Sequence, residues 1–227
     1  MMKPVVAIVP SAGSGRRFGG GKTLLDLNGM PVIAHTLGAL QAVDEVVEII
    51  PVMRNEEMEK ALDIVERYGF TKVKKIAPGG RERQESVSHG LALVERKNCI
   101  VLVHDGVRPL VTPSIIRRAV SALGDLDGVV TAVAVKDTIK EVSDGMVKKT
   151  LDRKRLFAVQ TPQVFPCRVL MQAYAEALRS GLHFTDDAAL VEHCGGRVKV
   201  IEGDYSNIKI TTREDLVLAE AFLGSRA

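Results

Sequence analysis

Short apolar runs rich in β-branched residues alternate along this chain with segments of helical period, and that alternation limits the fold more than any other feature. Val5 to Val9 reads as a strand, Pro31 to Ala42 as a helix, Val46 to Val52 as a strand, Asn55 to Tyr68 as a helix and Val73 to Ile76 as a strand. Glu82 to Val94 continues as helix, Ile100 to His104 as strand, Pro113 to Leu123 as helix and Gly128 to Val135 as strand. Phe165 to Ser180 and Asp186 to His193 read as helices, Val198 to Glu202 as a strand and Arg213 to Phe222 as a closing helix. Strands that are apolar on both faces belong in a largely parallel sheet covered by helices on each side, so the expected fold is α/β and Rossmann-like.

The pattern is interrupted once. Asp137 to Ser143 and Met146 to Leu151 are polar, strand-prone segments meeting at Asp144-Gly145, a strong two-residue hairpin signal. They predict a β-hairpin arm at about 136–155, inserted into a single domain that spans residues 1–227. A two-stranded arm with so few apolar residues is marginal alone, which points to packing on a second subunit and a homodimer. No internal repeat or low-complexity linker divides the chain.

Composition narrows the function. Thirty-one basic residues against 28 acidic ones leave a net charge of +3, too small an excess for a surface that coats nucleic acid. The first apolar run is too short for a secretory signal or a bilayer span, so no membrane partner is expected. Cys99, Cys167 and Cys194 show neither metal-ligand spacing nor an even disulfide count, which suits a reducing cytoplasm.

Ligands of open α/β sheets bind beyond the carboxyl ends of the strands. The first such loop runs Pro10-Ser11-Ala12-Gly13-Ser14-Gly15-Arg16-Arg17-Phe18-Gly19-Gly20-Gly21-Lys22. Its glycines let backbone approach a polyphosphate, and Arg17 and Lys22 can neutralise the charge; the plainer alternative is a glycine-rich turn with chance basic residues. A Walker A loop is excluded because Arg16 stands where its first glycine must be, and a dinucleotide fingerprint because Phe18 replaces its third. The strand Ile100 to His104 ends in Asp105, where an α/β enzyme would hold Mg²⁺; pairing of that carboxylate with Arg108 is the alternative. His104, with no nucleophile beside it, reads as packed or hydrogen-bonded.

Ala12-Gly13-Ser14-Gly15-Arg16-Arg17 followed by Gly21-Lys22 resembles the nucleotide loop of nucleotidyltransferases, specifically the 2-C-methyl-D-erythritol 4-phosphate cytidylyltransferase family of the non-mevalonate isoprenoid pathway. His104-Asp105-Gly106-Val107-Arg108-Pro109 and Gly79-Gly80-Arg81-Glu82-Arg83-Gln84-Glu85-Ser86 are similar to further motifs of that family. So are Asp137-Thr138, Asp152-Arg153, Gln160-Thr161-Pro162-Gln163, Thr185-Asp186-Asp187 and Asn207-Ile208-Lys209. The resemblance implies CTP and a small polyol phosphate as substrates, with Mg²⁺ on Asp105. It implies catalytic roles for Arg17 and Lys22 at the transition state and for Arg153 and Lys209 on the attacking phosphate. Pro10, Ser11, Ala12, Gly13, Gly15, Arg16, Gly80, Ser86, Asp105 and Gly106 would bind the nucleotide, and Arg108, Thr138, Thr161 and Thr185 the second substrate. The chain departs from the family at Arg81, where an aspartate is frequent and where a cation cannot accept a hydrogen bond. Two rival functions stay open: a pentitol phosphate cytidylyltransferase acting on, for example, ribitol 5-phosphate, and a CTP-binding module without catalysis.

Overall fold

The computed structural model describes residues 3–13 and 21–225. Chain order gives β1 (Val5–Pro10), a ribbon of β2 (Asp26–Leu27) and β3 (Met30–Pro31), α1 (Val32–Gln41), β4 (Val46–Met53), α2 (Met58–Arg67), β5 (Ala77–Pro78) and α3 (Arg83–Ala92). Next come β6 (Ile100–Val103), α4 (Pro113–Ser121), β7 (Gly128–Ala134), β8 (Lys140–Ser143), β9 (Met146–Thr150) and β10 (Phe157–Pro166). The chain ends with α5 (Cys167–Ser180), α6 (Asp187–His193), β11 (Val198–Glu202) and α7 (Arg213–Gly224).

Seven strands form one sheet in the order β11-β7-β10-β6-β1-β4-β5. All its pairings are parallel except those of β10, which runs antiparallel to both β6 and β7. From β1 the chain steps outward through β4 to β5 and then returns to β6 on the other side of β1. The reversal opens a crevice beyond the carboxyl ends of β1 and β6.

The strand period divides the core between the two faces. Val5, Ala7 and Val9 pack with Ile33, Leu37, Ile115 and Ile116 on one side; Val6 and Ile8 pack with Val87, Leu91, Leu170 and Val191 on the other. A third cluster, Leu27, Val32, Val107, Leu110, Ile210 and Ala219, ties α7 and the β2–β3 ribbon to the loop after β6.

The structure carries the arm where Asp144-Gly145 predicts it, with φ of 53° and 76° at the turn and β8 paired only with β9. It differs from the sequence reading in three places. Val73–Ile76 is not a strand: Val73 makes a single bridge to Ile49, and the strand at that edge is β5, two residues long. Asn28-Gly29, with φ of 53° and 81°, closes a small hairpin, and the helix starts after it at Val32. The helix expected from Phe165 begins at Cys167, because the preceding ten residues are β10. Gln160, Thr161 and Gln163 break the apolar alternation there, and Pro162 has no N–H for a ladder. The register duly slips between Val159 and Gln163.

Candidate active site

A cleft of about 600 Å³ lies at the switch point. The end of β1 supplies Pro10, Ser11, Ala12 and Gly13, the end of β5 supplies Gly79 and Gly80, and the start of α3 supplies Arg83 and Ser86. Asp105 follows β6, Lys22 stands on the turn after Gly21, and Lys209 arrives from the segment before α7. Gly15, Arg16 and Arg17 lie outside the described residues.

Two of the glycines let these loops close on one another. A Cβ on Gly79 would stand 2.1 Å from the Cβ of Ala12, and one on Gly106 would stand 2.1 Å from Ser11 Oγ. Gly106 is thus buried behind the first loop, where its N–H donates to the Pro10 carbonyl at 3.1 Å. Ser86 is also buried, and its hydroxyl acts on the loop: it accepts the Gly80 N–H and donates to the Glu82 carbonyl, both at 3.0 Å. The Arg81 N–H donates to Glu85 Oε2 at 2.6 Å, so the carboxylate that holds this turn comes from one helical turn further on.

Asp105 is the electrostatic centre. Its Oδ1 meets Arg83 Nε at 3.3 Å, and its Oδ2 meets Lys209 Nζ at 2.9 Å and Arg108 Nε at 3.5 Å. Burial favours the neutral acid, but Arg83, Lys209 and Arg108 together outweigh it and hold the carboxyl well below the usual range. Arg83 also donates from Nη2 to Asp187 Oδ2 at 2.8 Å, and the Tyr174 hydroxyl donates to Asp187 Oδ1 at 2.5 Å. Burial opposes the charge of Arg83, yet Asp187 and Asp105 raise its pKa further. Arg108 lies behind Asp105, off the cleft wall, with Nη1 donating to the Asn207 carbonyl at 2.8 Å.

Thr161 is likewise buried and acts through Asp105. Its Oγ1 accepts the Asp105 N–H at 3.0 Å and its hydroxyl donates to His104 Nδ1 at 3.0 Å. That leaves the ring proton on Nε2, which donates to the Arg108 carbonyl at 3.2 Å. Burial pushes the His104 pKa down to about 4, so the ring is neutral near pH 7 and serves as a hydrogen-bonded prop. Thr138, Arg153 and Thr185 are exposed and not among the residues lining the cleft; Arg153 Nη1 donates to the Lys136 carbonyl at the base of the arm. Asp186, the residue after Thr185, caps α6, its side chain accepting the Ala189 N–H at 3.1 Å.

Arg83, Asp187, Gln160 and Asn207 escaped the sequence reading as site residues. Gln160 and Asn207 are buried on each other, with Asn207 Nδ2 donating to Gln160 Oε1 at 3.3 Å and to the Thr161 carbonyl at 2.9 Å. The signal available was their place inside the quoted segments Gln160-Thr161-Pro162-Gln163 and Asn207-Ile208-Lys209.

The residues fit a divalent cation that arrives with its own ligands. The Lys209 ammonium on Asp105 Oδ2 marks a cation position on the cleft wall. Among the described residues no group of three or more His, Cys, Asp or Glu could hold a metal. Mg²⁺ needs no such cage, because one carboxylate, phosphate oxygens and water complete its shell.

An open α/β sheet whose switch-point cleft joins glycine backbone, Lys22, Lys209 and the buried Asp105 has the make-up of a nucleotide-binding enzyme, and the class it fits is that of the nucleotidyltransferases. The model of the family described as 2-C-methyl-D-erythritol 4-phosphate cytidylyltransferase matches residues 5–225. A protein of that description from Syntrophus aciditrophicus (strain SB) is 48% identical over 98% of this chain and 97% of its own length. One from Bacillus licheniformis is 43% identical over 95% of this chain and 94% of its own. The crystal structure of 4-diphosphocytidyl-2C-methyl-D-erythritol synthase from Anaerococcus prevotii superposes with a TM-score of 0.88 at 36% identity, covering 98% of this chain and 96% of that one. The chain belongs to the 2-C-methyl-D-erythritol 4-phosphate cytidylyltransferase family.

Proposed function

We propose that the protein transfers the cytidylyl group of CTP to 2-C-methyl-D-erythritol 4-phosphate, giving 4-diphosphocytidyl-2-C-methyl-D-erythritol and pyrophosphate in isoprenoid synthesis. The observation that carries this reading is the convergence of Lys22, Asp105 and Lys209 on one glycine-lined cleft in a chain of this family. A phosphate monoester has a second pKa near ~6, so the acceptor is largely a dianion at neutral pH and needs no general base. One of its oxygens forms a bond to the α-phosphorus of CTP while the bond from that phosphorus to the bridging oxygen breaks, and pyrophosphate leaves with the electron pair. The chain's task is positioning and charge neutralisation. Lys22 and Arg17 take the triphosphate, the backbone of Pro10–Gly13 and Gly80 cradles the nucleotide, and Lys209 and Arg153 orient the attacking phosphate.

Asp105 is the residue that would hold Mg²⁺, which when bound supplies neutralisation of phosphate charge. Chelation with EDTA should abolish turnover and added Mg²⁺ restore it; full turnover in EDTA would remove the metal.

The arm supports a homodimer: Val142, Met146 and Val147 on it and Phe157 and Val159 at the start of β10 are 45–73% exposed. Thr138 and Arg153 belong to the same arm, so their contact with the acceptor is tied to that assembly. Three unpaired cysteines suit the cytoplasm, and no helix among the described residues is long and apolar enough to cross a membrane.

The decisive assay is pyrophosphate release with CTP and Mg²⁺, comparing 2-C-methyl-D-erythritol 4-phosphate with ribitol 5-phosphate. Release with the methylerythritol substrate is expected. Preference for ribitol phosphate would move the reaction to another acceptor, and CTP binding without release under either condition would leave a binding module.

A further inference from the structure

The cleft wall holds a cation that neither the sequence motifs nor the mechanism uses. Arg54 follows β4 directly and lines the cleft at the carboxyl end of that strand, between the loop after β1 and the Gly79-Gly80 turn. Its guanidinium stands against the nucleotide loop: a Cβ placed on Gly21 would lie 4.0 Å from Arg54 Nη2 and 3.8 Å from Glu57 Oε1. Arg54 and Lys22 are therefore neighbours on one side of the cleft.

The arginine is held from behind. Nη2 donates to Glu57 Oε1 in a close ion pair, and Nη1 meets Glu56 Oε1 at 3.1 Å. Glu56 is largely exposed and contributes little, but the Glu57 side chain is 5% exposed. Glu57 Oε2 has no hydrogen-bond partner among the described residues. A buried carboxylate oxygen without a partner is costly, and merely anchoring a surface arginine offers small return for it. Such a carboxylate is well suited to fixing the orientation of a guanidinium that has other work. A guanidinium has five N–H donors, and two glutamate contacts leave donors for the cleft. Its planar fork matches adjacent phosphate oxygens.

We propose that Arg54 binds the polyphosphate of the nucleotide, alongside Lys22, and that Glu57 is the residue that positions it. This rests on the reading of the cleft as a CTP site. The contact is to phosphate and not to base or ribose, so it grows with the length of the phosphate chain.

The test is calorimetric binding of CTP, CMP and inorganic tripolyphosphate, each with Mg²⁺, to the wild-type protein and to Arg54→Ala, Arg54→Lys and Glu57→Gln, with thermal melts to check folding. Arg54→Ala should weaken CTP and tripolyphosphate about tenfold or more and CMP less than about twofold, a loss that Arg54→Lys partly restores. Glu57→Gln should shift CTP in the same direction and leave CMP alone. Equal losses for CTP and CMP, or no loss in Arg54→Ala, would overturn the assignment. Wild-type protein that ignores CTP would defeat the cytidylyltransferase reading, and the tripolyphosphate arm would still decide Arg54.

Discussion

Lys22 and His104 show how differently single residues serve this cleft. Lys22 stands on a partly exposed turn, so Lys22→Ala should leave the melting temperature nearly unchanged. On the proposed mechanism it removes a charge from beside the transferring phosphate, and turnover should fall by roughly 3 kcal/mol or a hundredfold in rate. Near-normal pyrophosphate release from the variant would take Lys22 out of the mechanism. His104 works through stability. Its pKa is about 4 in the fold against 6.5 for an ordinary histidine, so the unfolded chain takes up the proton first as pH falls. Its contribution is complete above 6.5 and is lost progressively toward 4, on the order of 3 kcal/mol in total. Chemical denaturation across that window should show the decline, and His104→Gln should flatten it; an unchanged slope would mean that other groups carry it. That Lys22 and Asp105 would meet in one cleft was readable from a glycine-rich loop and a strand end, while Lys209 was placed beside them only by resemblance to the family. Arg83 was not legible, since its role depends on Asp187, 104 residues away, and no local pattern joins them.

At the scale of elements, strands apolar on both faces announced themselves and strands built around polar contacts did not. β10 is central in the sheet, yet the buried Gln160, Thr161 and Gln163 break its apolar run. Their partners, Asn207, His104 and Asp186, lie outside any local window. The same coupling makes the loops mutually dependent. Gly79→Ala would drive a methyl into Ala12 at 2.1 Å, so either the first loop or the Gly79-Gly80 turn must move. Overpacking of this kind costs about 1–3 kcal/mol, and the displaced loop is the one assigned to the nucleotide. Denaturant melts and CTP titration should both register it, with weaker CTP binding as the more telling result. Retained affinity would mean that the turn yields and the nucleotide loop does not.

The whole molecule presents its arm and the start of β10 with apolar side chains facing water, Met146 at 73% and Val147 at 60% exposed. Light scattering at micromolar concentration should give a mass about twice the 24.6 kDa of one chain. Met146→Lys with Val147→Asp should shift it to a single chain, and a wild-type monomer would sink the dimer. The antiparallel strand has a different consequence, one of timing. β6 and β7 never pair with each other, since β10 lies between them and comes later in the sequence. During synthesis β6 emerges with one open edge and β7 with two, since β11 also follows, and their shared direction would let them mispair in parallel until residues 157–166 leave the ribosome. The last strand into that slot also carries Thr161, which fixes His104 and the Asp105 backbone. A chain still short of β10 therefore lacks the hydrogen bonds that fix His104 and the Asp105 backbone, and the cleft reaches its full set of cations only when Lys209 follows later still.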